Sequence, residues 1–288
     1  MKTINFTIFA ILIIYLFHYF DLNDKFLYRL FHSDKSKFGT NYEYNKQFKA
    51  ILEIEKNLSG ITYNPTTDTL FVITNSPRSI YELNKNGEFL REIKLKGFKD
   101  TEDITYIKDD MFAILDEKND TFYIVNIYDD TTKILLDDYV KKFTYSVKNF
   151  YNFGLEGIGY NEKNDEFYIV NERNPKKVIS IKGIMNDTPI YITTKTKISD
   201  NNSYLGDFSA IYFDNKKDEL FILSDESSLL GKVDNLGNFT DFLDLYPSII
   251  IPGSINIEGV TKDNDGNIYI VGEPNFFLSI KKVENKEH

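Results

Sequence analysis

The residues of this chain best suited to chemistry are carboxylates that recur at fixed places. Glu102, Glu156 and Glu258 each open a short apolar run, as do Ser59 and Ser209. Each opening is followed by a polar turn and a second apolar run. Those second runs close at Ser76, Glu117, Glu172, Glu226 and Glu273, preceded by Asn75, Asp116, Asn171, Asp225 and Gly272. If one face gathers these groups, seven glutamates share it. Two carboxylates about 4 Å apart repel by about 4 kcal/mol at an effective dielectric of about 20. Three outcomes relieve that repulsion. A cation binds, most naturally Ca²⁺, which takes about 6–8 oxygen ligands. Some carboxyls keep their protons. Or donors from neighbouring backbone and from Arg78 or Arg173 turn the glutamates into a structural clasp. The candidate metal ligands are Glu102, Glu156, Glu258, Asn171 and Asp225. Asn75, Asp116, Glu117, Glu172, Glu226 and Glu273 complete the acidic group, and Glu172 is the candidate general base on metal-bound water.

Other chemistries are excluded by what is missing. The chain of 288 residues has no cysteine, so thiolate metal sites and cysteine nucleophiles are out. Its three histidines, His18, His32 and His288, all lie at the ends of the chain. A Ser-His-Asp triad or a histidine general base has no residue to use. Acidic residues outnumber basic ones by 44 to 34. Non-specific nucleic-acid binding is therefore not expected, since phosphate contacts need clustered Lys and Arg.

The elements that position these carboxylates are strands. Ser59 opens SGITYNPTTDTLFVITNS, Glu102 opens EDITYIKDDMFAILDE, and Glu156 opens EGIGYNEKNDEFYIVNE. Ser209 opens SAIYFDNKKDELFILSDE and Glu258 opens EGVTKDNDGNIYIVGE. The starts are about 50 residues apart, a period typical of propeller repeats. The rest of each period also reads as strands, joined by turns such as Asn84–Gly87 and Asp234–Gly237. Each period is then one four-stranded blade. The fold expected is all-β: a β-propeller of five blades by repeat count over residues 41–288, with six blades as the alternative.

Two details follow. The last repeat has room for three strands, so the segment Asn45–Ile54 is expected to supply the fourth and close the ring. A sixth blade would have to come from Thr131–Phe153. Asp263-Asn264-Asp265-Gly266-Asn267 has the look of a calcium loop, but its glycine is misplaced and position 12 lacks glutamate, so a hairpin turn is expected. Tyr63, Tyr106, Tyr160 and Phe213 recur at one first-strand position and are expected between blades.

Ahead of the repeats, Ile4–Phe20 is an uncharged apolar run ending in an aromatic cluster. It reads as a transmembrane helix or uncleaved signal anchor over residues 1–20, followed by a juxtamembrane linker over 21–40. A cleaved signal peptide is the alternative. Lys25, Arg29, Lys35 and Lys37 follow the run, and loop charge alone would leave the body in the cytoplasm.

The series SGITYNP, LFVITNSP, LREIKLKGF, LEGIGY, FSAIYFD and IEGVT resembles the SdiA-regulated, YjiK-like family of bacterial propeller proteins over residues 45–285. The resemblance implies a propeller on the outer side of the bacterial inner membrane, facing the periplasm. It implies no particular activity.

Two functions are open. One is a membrane-anchored binding module for an unknown protein or small molecule, with a cation at the acidic end of the channel. The other is a Ca²⁺-dependent hydrolase of lactonase or phosphoester type built on the same Glu/Asn/Asp set.

Overall fold

A computed structural model describes residues 42–44, 49–145, 154–173, 175–245 and 255–283, together with Leu12 and Tyr15. Blade 1 is built from strands Leu58–Asn64, Thr69–Asn75, Arg78–Leu83 and Phe89–Lys96. Blade 2 comprises Thr101–Lys108, Met111–Asp116, Thr121–Asn126 and Lys141–Thr144. Blade 3 comprises Leu155–Asn161, Glu166–Asn171, Lys177–Lys182 and Tyr191–Thr194. Blade 4 comprises Ala210–Asp214, Glu219–Ser224, Leu229–Val233 and Phe239–Asp244. Blade 5 comprises Asn256–Lys262, Ile268–Glu273 and Phe276–Lys282.

Local chemistry makes these meanders. Val, Ile, Tyr and Phe fill the strands because their branched or flat side chains suit a pleated, buried surface. Asp68, Asp109, Asp165 and Asp218 hold the left-handed conformation in the first hairpins of blades 1 to 4. Aspartate tolerates positive φ by bonding to its own backbone. Gly266 does the same in blade 5, which makes the Asp263–Asn267 segment a hairpin turn, as expected.

The blades close into a ring. Each first strand touches the first strands of both neighbours, and blade 5 returns to blade 1. Five clusters of buried apolar side chains fill the five blade interfaces, one per neighbouring pair. Tyr63, Tyr160 and Phe213 are buried in three of them, and Tyr106 packs half-buried against a fourth. The closing strand comes from the N-terminal side in two pieces. Tyr42–Tyr44 and Lys49–Ala50 both pair antiparallel with Phe276–Lys282. Closure thus starts slightly earlier than Asn45, and Ile51 and Ile54 serve as buried interface residues instead of strand.

Among the described residues there is no sixth blade. Lys133–Leu135 adds as a fifth, parallel strand on the outer edge of blade 1, while Lys141–Thr144 is the outer strand of blade 2. The remainder of that stretch, 146–153, lies outside the described residues. So does the N-terminal run Ile4–Phe20, apart from Leu12 and Tyr15. Among the described residues no helix is long and apolar enough to cross a membrane. The transmembrane helix therefore remains an expectation from sequence.

Candidate functional site at one end of the channel

The carboxylates are aimed by an irregularity in pairing. In blade 2 Thr101 faces Asp116 and Asp103 faces Leu115, so Glu102 is an extra residue. The same skip isolates Ser59, Glu156 and Glu258 in blades 1, 3 and 5. A bulge of this kind bends the strand and redirects its extra side chain. The residue after the bulge meets the next blade. A Cβ on Gly157 would lie 2.9 Å from Ile211 N, and one on Gly259 2.9 Å from Ile61 N, so only glycine fits. Blade 2 breaks this rule with Asp103. Its buried carboxylate accepts from Ile104 N at 2.8 Å and Ile158 N at 2.8 Å, tying blade 2 to blade 3. Sequence reasoning missed it, although the change from EGI to EDI was the available signal.

The pairing also corrects the alignment of the second strands. Ile73, Leu115, Val170, Leu223 and Val271 stand level, each opposite the residue after the bulge or its equivalent. Thr74, Asp116, Asn171, Ser224 and Gly272 follow, and then Asn75, Glu117, Glu172, Asp225 and Glu273. In blades 1 and 4 the true level is thus one residue away from the expected one, so Ser76 and Glu226 lie beyond the ring.

The inner level is engaged in part. Asp116 is fully buried and accepts from Lys99 N, Asp100 N and Asn119 Nδ2. Asn171 donates Nδ2 to the carbonyls of Arg173 and Pro175. Asp116 is thus spent on backbone and amide donors, whereas Asn171 keeps its Oδ1, the atom a cation would use, buried and without a partner.

Glu102, Glu156 and Glu258 are brought together from three blades. Burial pushes Glu102 up to about 7, with Asp100 and Glu117 adding to the effect against a 3.3 Å bond from Asn75 Nδ2. Burial holds Glu156 well above the usual carboxylate range, and both Glu102 and Glu258 reinforce it. Glu258 is raised by burial and then by Asp225 and Glu273. Glu117 is raised by burial, then by Asp100 and Asp120. Oxygens of Asp100, Glu102 and Glu117 lie within 4.8 Å of one another, close enough to share one ion. Asp100 was not among the expected ligands.

The blade 3–4 side of the mouth differs, because a cation is built in. Arg173 Nη2 reaches Glu172 Oε1 at 2.8 Å and Glu226 Oε1 at 3.0 Å. Arg78 does not join the group; its Nε donates to Lys99 O. Asp225 accepts from Ile257 N at 2.7 Å and is pushed up to about 6, mainly by burial. Asp207, two residues before Ser209 as Asp100 is before Glu102, is fully buried and raised to about 7 by burial. One of its oxygens takes Ser224 Oγ and Glu226 N, and the other has no partner.

A family model described as SdiA-regulated matches residues 34–281 of this chain. Among solved structures, a chain in the crystal structure of a nidogen/laminin complex is similar over 76% of this chain and 73% of that one, at 15% identity and a TM-score of 0.47.

Proposed function

The chain belongs to the SdiA-regulated family, and from that premise we propose that it is a membrane-tethered binding module whose acidic channel mouth holds a divalent cation, Ca²⁺ first. One observation carries this reading. Glu102, Glu156 and Glu258 converge from three blades with too few donors, and each is raised by burial and by acidic neighbours. A cation supplies the missing charge. Asp100, Glu102 and Glu117 offer three carboxylates at one point, and Ca²⁺ accepts such irregular oxygen sets. Glu172, the expected general base of a hydrolase, is already engaged by Arg173, so the hydrolase reading gains nothing from this geometry.

The tether reading has a geometric consequence. The chain enters the ring at Tyr42, opposite Lys282, at the channel end away from the glutamates. With an anchor at Ile4–Phe20 and a linker over 21–40, the chain would join the ring at the end opposite the mouth. The absence of cysteine gives a clean test. Ser76→Cys at the mouth is expected to react with an impermeant maleimide added to spheroplasts. Labelling only after lysis would put the propeller in the cytoplasm.

The cation is tested by melting the full-length protein, purified with EDTA, with and without Ca²⁺ or Mg²⁺. A ligand at 100 times its Kd adds about 2.7 kcal/mol to the folded state. The midpoint is expected to rise by several degrees with Ca²⁺, and Glu102→Gln with Glu117→Gln to remove the rise. If no divalent ion moves the midpoint, the cation site is wrong.

A further inference from the structure

Blade 3 ends in an edge unlike that of blade 4. Every residue of its outer strand Tyr191–Thr194 is exposed, whereas Phe239–Asp244 is at least partly buried throughout. Ile190, Tyr191 and Ile192 are 50%, 65% and 45% exposed, three large apolar residues in a row. Surfaces avoid such runs unless something covers them. The backbone beside them is equally available. Lys195 N donates to Val178 O at 2.8 Å. By the alternation of an antiparallel ladder, the amides of Tyr191 and Thr193 point into the blade, and those of Ile192 and Thr194 point out. Among the described residues no strand pairs with that outer side. Blade 1 shows what such an edge accepts in this molecule. Its outer strand is covered by Lys133–Leu135, added in parallel register.

Charge indicates the occupant. The chain as a whole carries a net charge of −10, but this edge is basic. Lys182 and Lys195 share the single carboxylate of Glu166 at 3.2 and 3.1 Å. Lys141 is matched by Asp187, while Lys142 and Lys197 are exposed beside them. A groove of about 510 Å³ adjoins the edge at Ile190, lined by Tyr139, Lys142, Phe143 and Ile184. Two copies joined edge to edge would bring these lysines together, which disfavours a second copy of this chain.

We propose that the outer edge of blade 3 docks an extended acidic segment of a partner protein as a fifth strand. Outward amides of Ile192 and Thr194 supply the ladder bonds, and alternate apolar side chains of the segment cover Ile190 and Ile192. The surrounding lysines take its carboxylates. This surface is separate from the glutamate mouth.

Fluorescence polarisation of full-length protein with a labelled peptide alternating glutamate and valine tests it. Binding is expected, weaker at high salt, and weakened roughly tenfold or more by Ile192→Pro, which removes an outward donor. The same loss is expected when the peptide is N-methylated on alternate residues, a change that leaves the protein untouched. Lys142→Glu with Lys197→Glu is expected to weaken binding several-fold. Three outcomes overturn the proposal: no binding by the wild-type chain, equal binding of the N-methylated peptide, or equal binding of a lysine–valine peptide.

Discussion

The two ends of the channel use acidic residues to opposite effect. At the end away from the glutamates, Asp263, Asp214 and Asp68 all have donors. Asp263 accepts from the amides of Asp265 and Asn267 and from Tyr269 Oη at 2.9 Å. Asp214 takes Lys262 Nζ at 2.6 Å, in a pair whose side chains are only 8% and 1% exposed. Asp68 sits between Lys85 Nζ at 2.8 Å and Tyr63 Oη at 2.6 Å, which hold its carboxyl below the usual range. At the mouth, Glu156 and Glu258 face chiefly other acids, and their carboxyls are raised. Burial alone does not separate the ends, since Asp214 and Asp263 are both buried. Donors separate them. A carboxylate given donors fastens a turn, and one surrounded by carboxylates waits for a proton or a cation.

The contrast can be broken most severely at Lys262. Lys262→Met strands the buried Asp214 carboxylate and is expected to cost about 3–5 kcal/mol, read by urea unfolding. Adding Asp214→Leu should restore much of that loss, because a buried pair replaced by apolar groups is often near neutral. If the single variant unfolds like the wild type, the far end is not held by its ion pair.

The mouth is probed by pH. Glu102 in the folded state titrates at about 7, above the 4.5 of the unfolded chain. The folded state therefore keeps its proton longer. Below pH 4.5 the group contributes fully to stability, and that contribution is lost as pH rises through about 7. The loss from Glu102 is on the order of 1–3 kcal/mol. Melting midpoints of metal-free protein are expected to fall across this window. Glu102→Gln should flatten the fall, and Ca²⁺ should offset it at pH 8. A midpoint that climbs steadily over the same range would mean that the mouth is already compensated.

The smallest expected effect is at the exposed fastener. Tyr63→Phe removes the phenolic bond to Asp68 and is expected to cost less than about 1 kcal/mol by the same unfolding measurement. The loss should shrink as pH falls through the depressed folded-state pKa of Asp68, below the usual aspartate range, where its carboxyl takes up a proton.

Much of this was legible in the residues. The repeat starts, the aspartate and glycine turns, and the missing fourth strand of blade 5 all follow from local pattern, because hairpins and their turns are short-range chemistry. The recurring Ser/Glu positions do lie together at one end of their first strands. Asp100 and Asp207 went unnoticed, since nothing in their local sequence sets them apart from turn aspartates, and Asp103 was marked only by the change from EGI to EDI. Their importance lies in what folding brings to them: Glu102 and Glu117 of the same blade to Asp100, Ile158 N of blade 3 to Asp103, and Arg173 from the end of blade 3 with Asp225 of blade 4 to Asp207.

By itself, the order of residues determined an all-β ring of five repeats with carboxylates at one end and no histidine or cysteine chemistry. Only the tertiary structure decided which carboxylates share a level. Strands such as Thr69–Asn75 and Glu166–Asn171 are buried on both faces through their middles, so LFVI and FYIV read as unbroken apolar runs. An unbroken run has no alternation to mark its phase, and a slip of one residue leaves it looking the same. The bulges at Ser59, Glu102, Glu156 and Glu258 are set by cross-strand bonds and by the close approach of the next blade. The close approaches join residues about 50 or more positions apart, such as Asp103 and Ile158, and they exist only once neighbouring blades have packed.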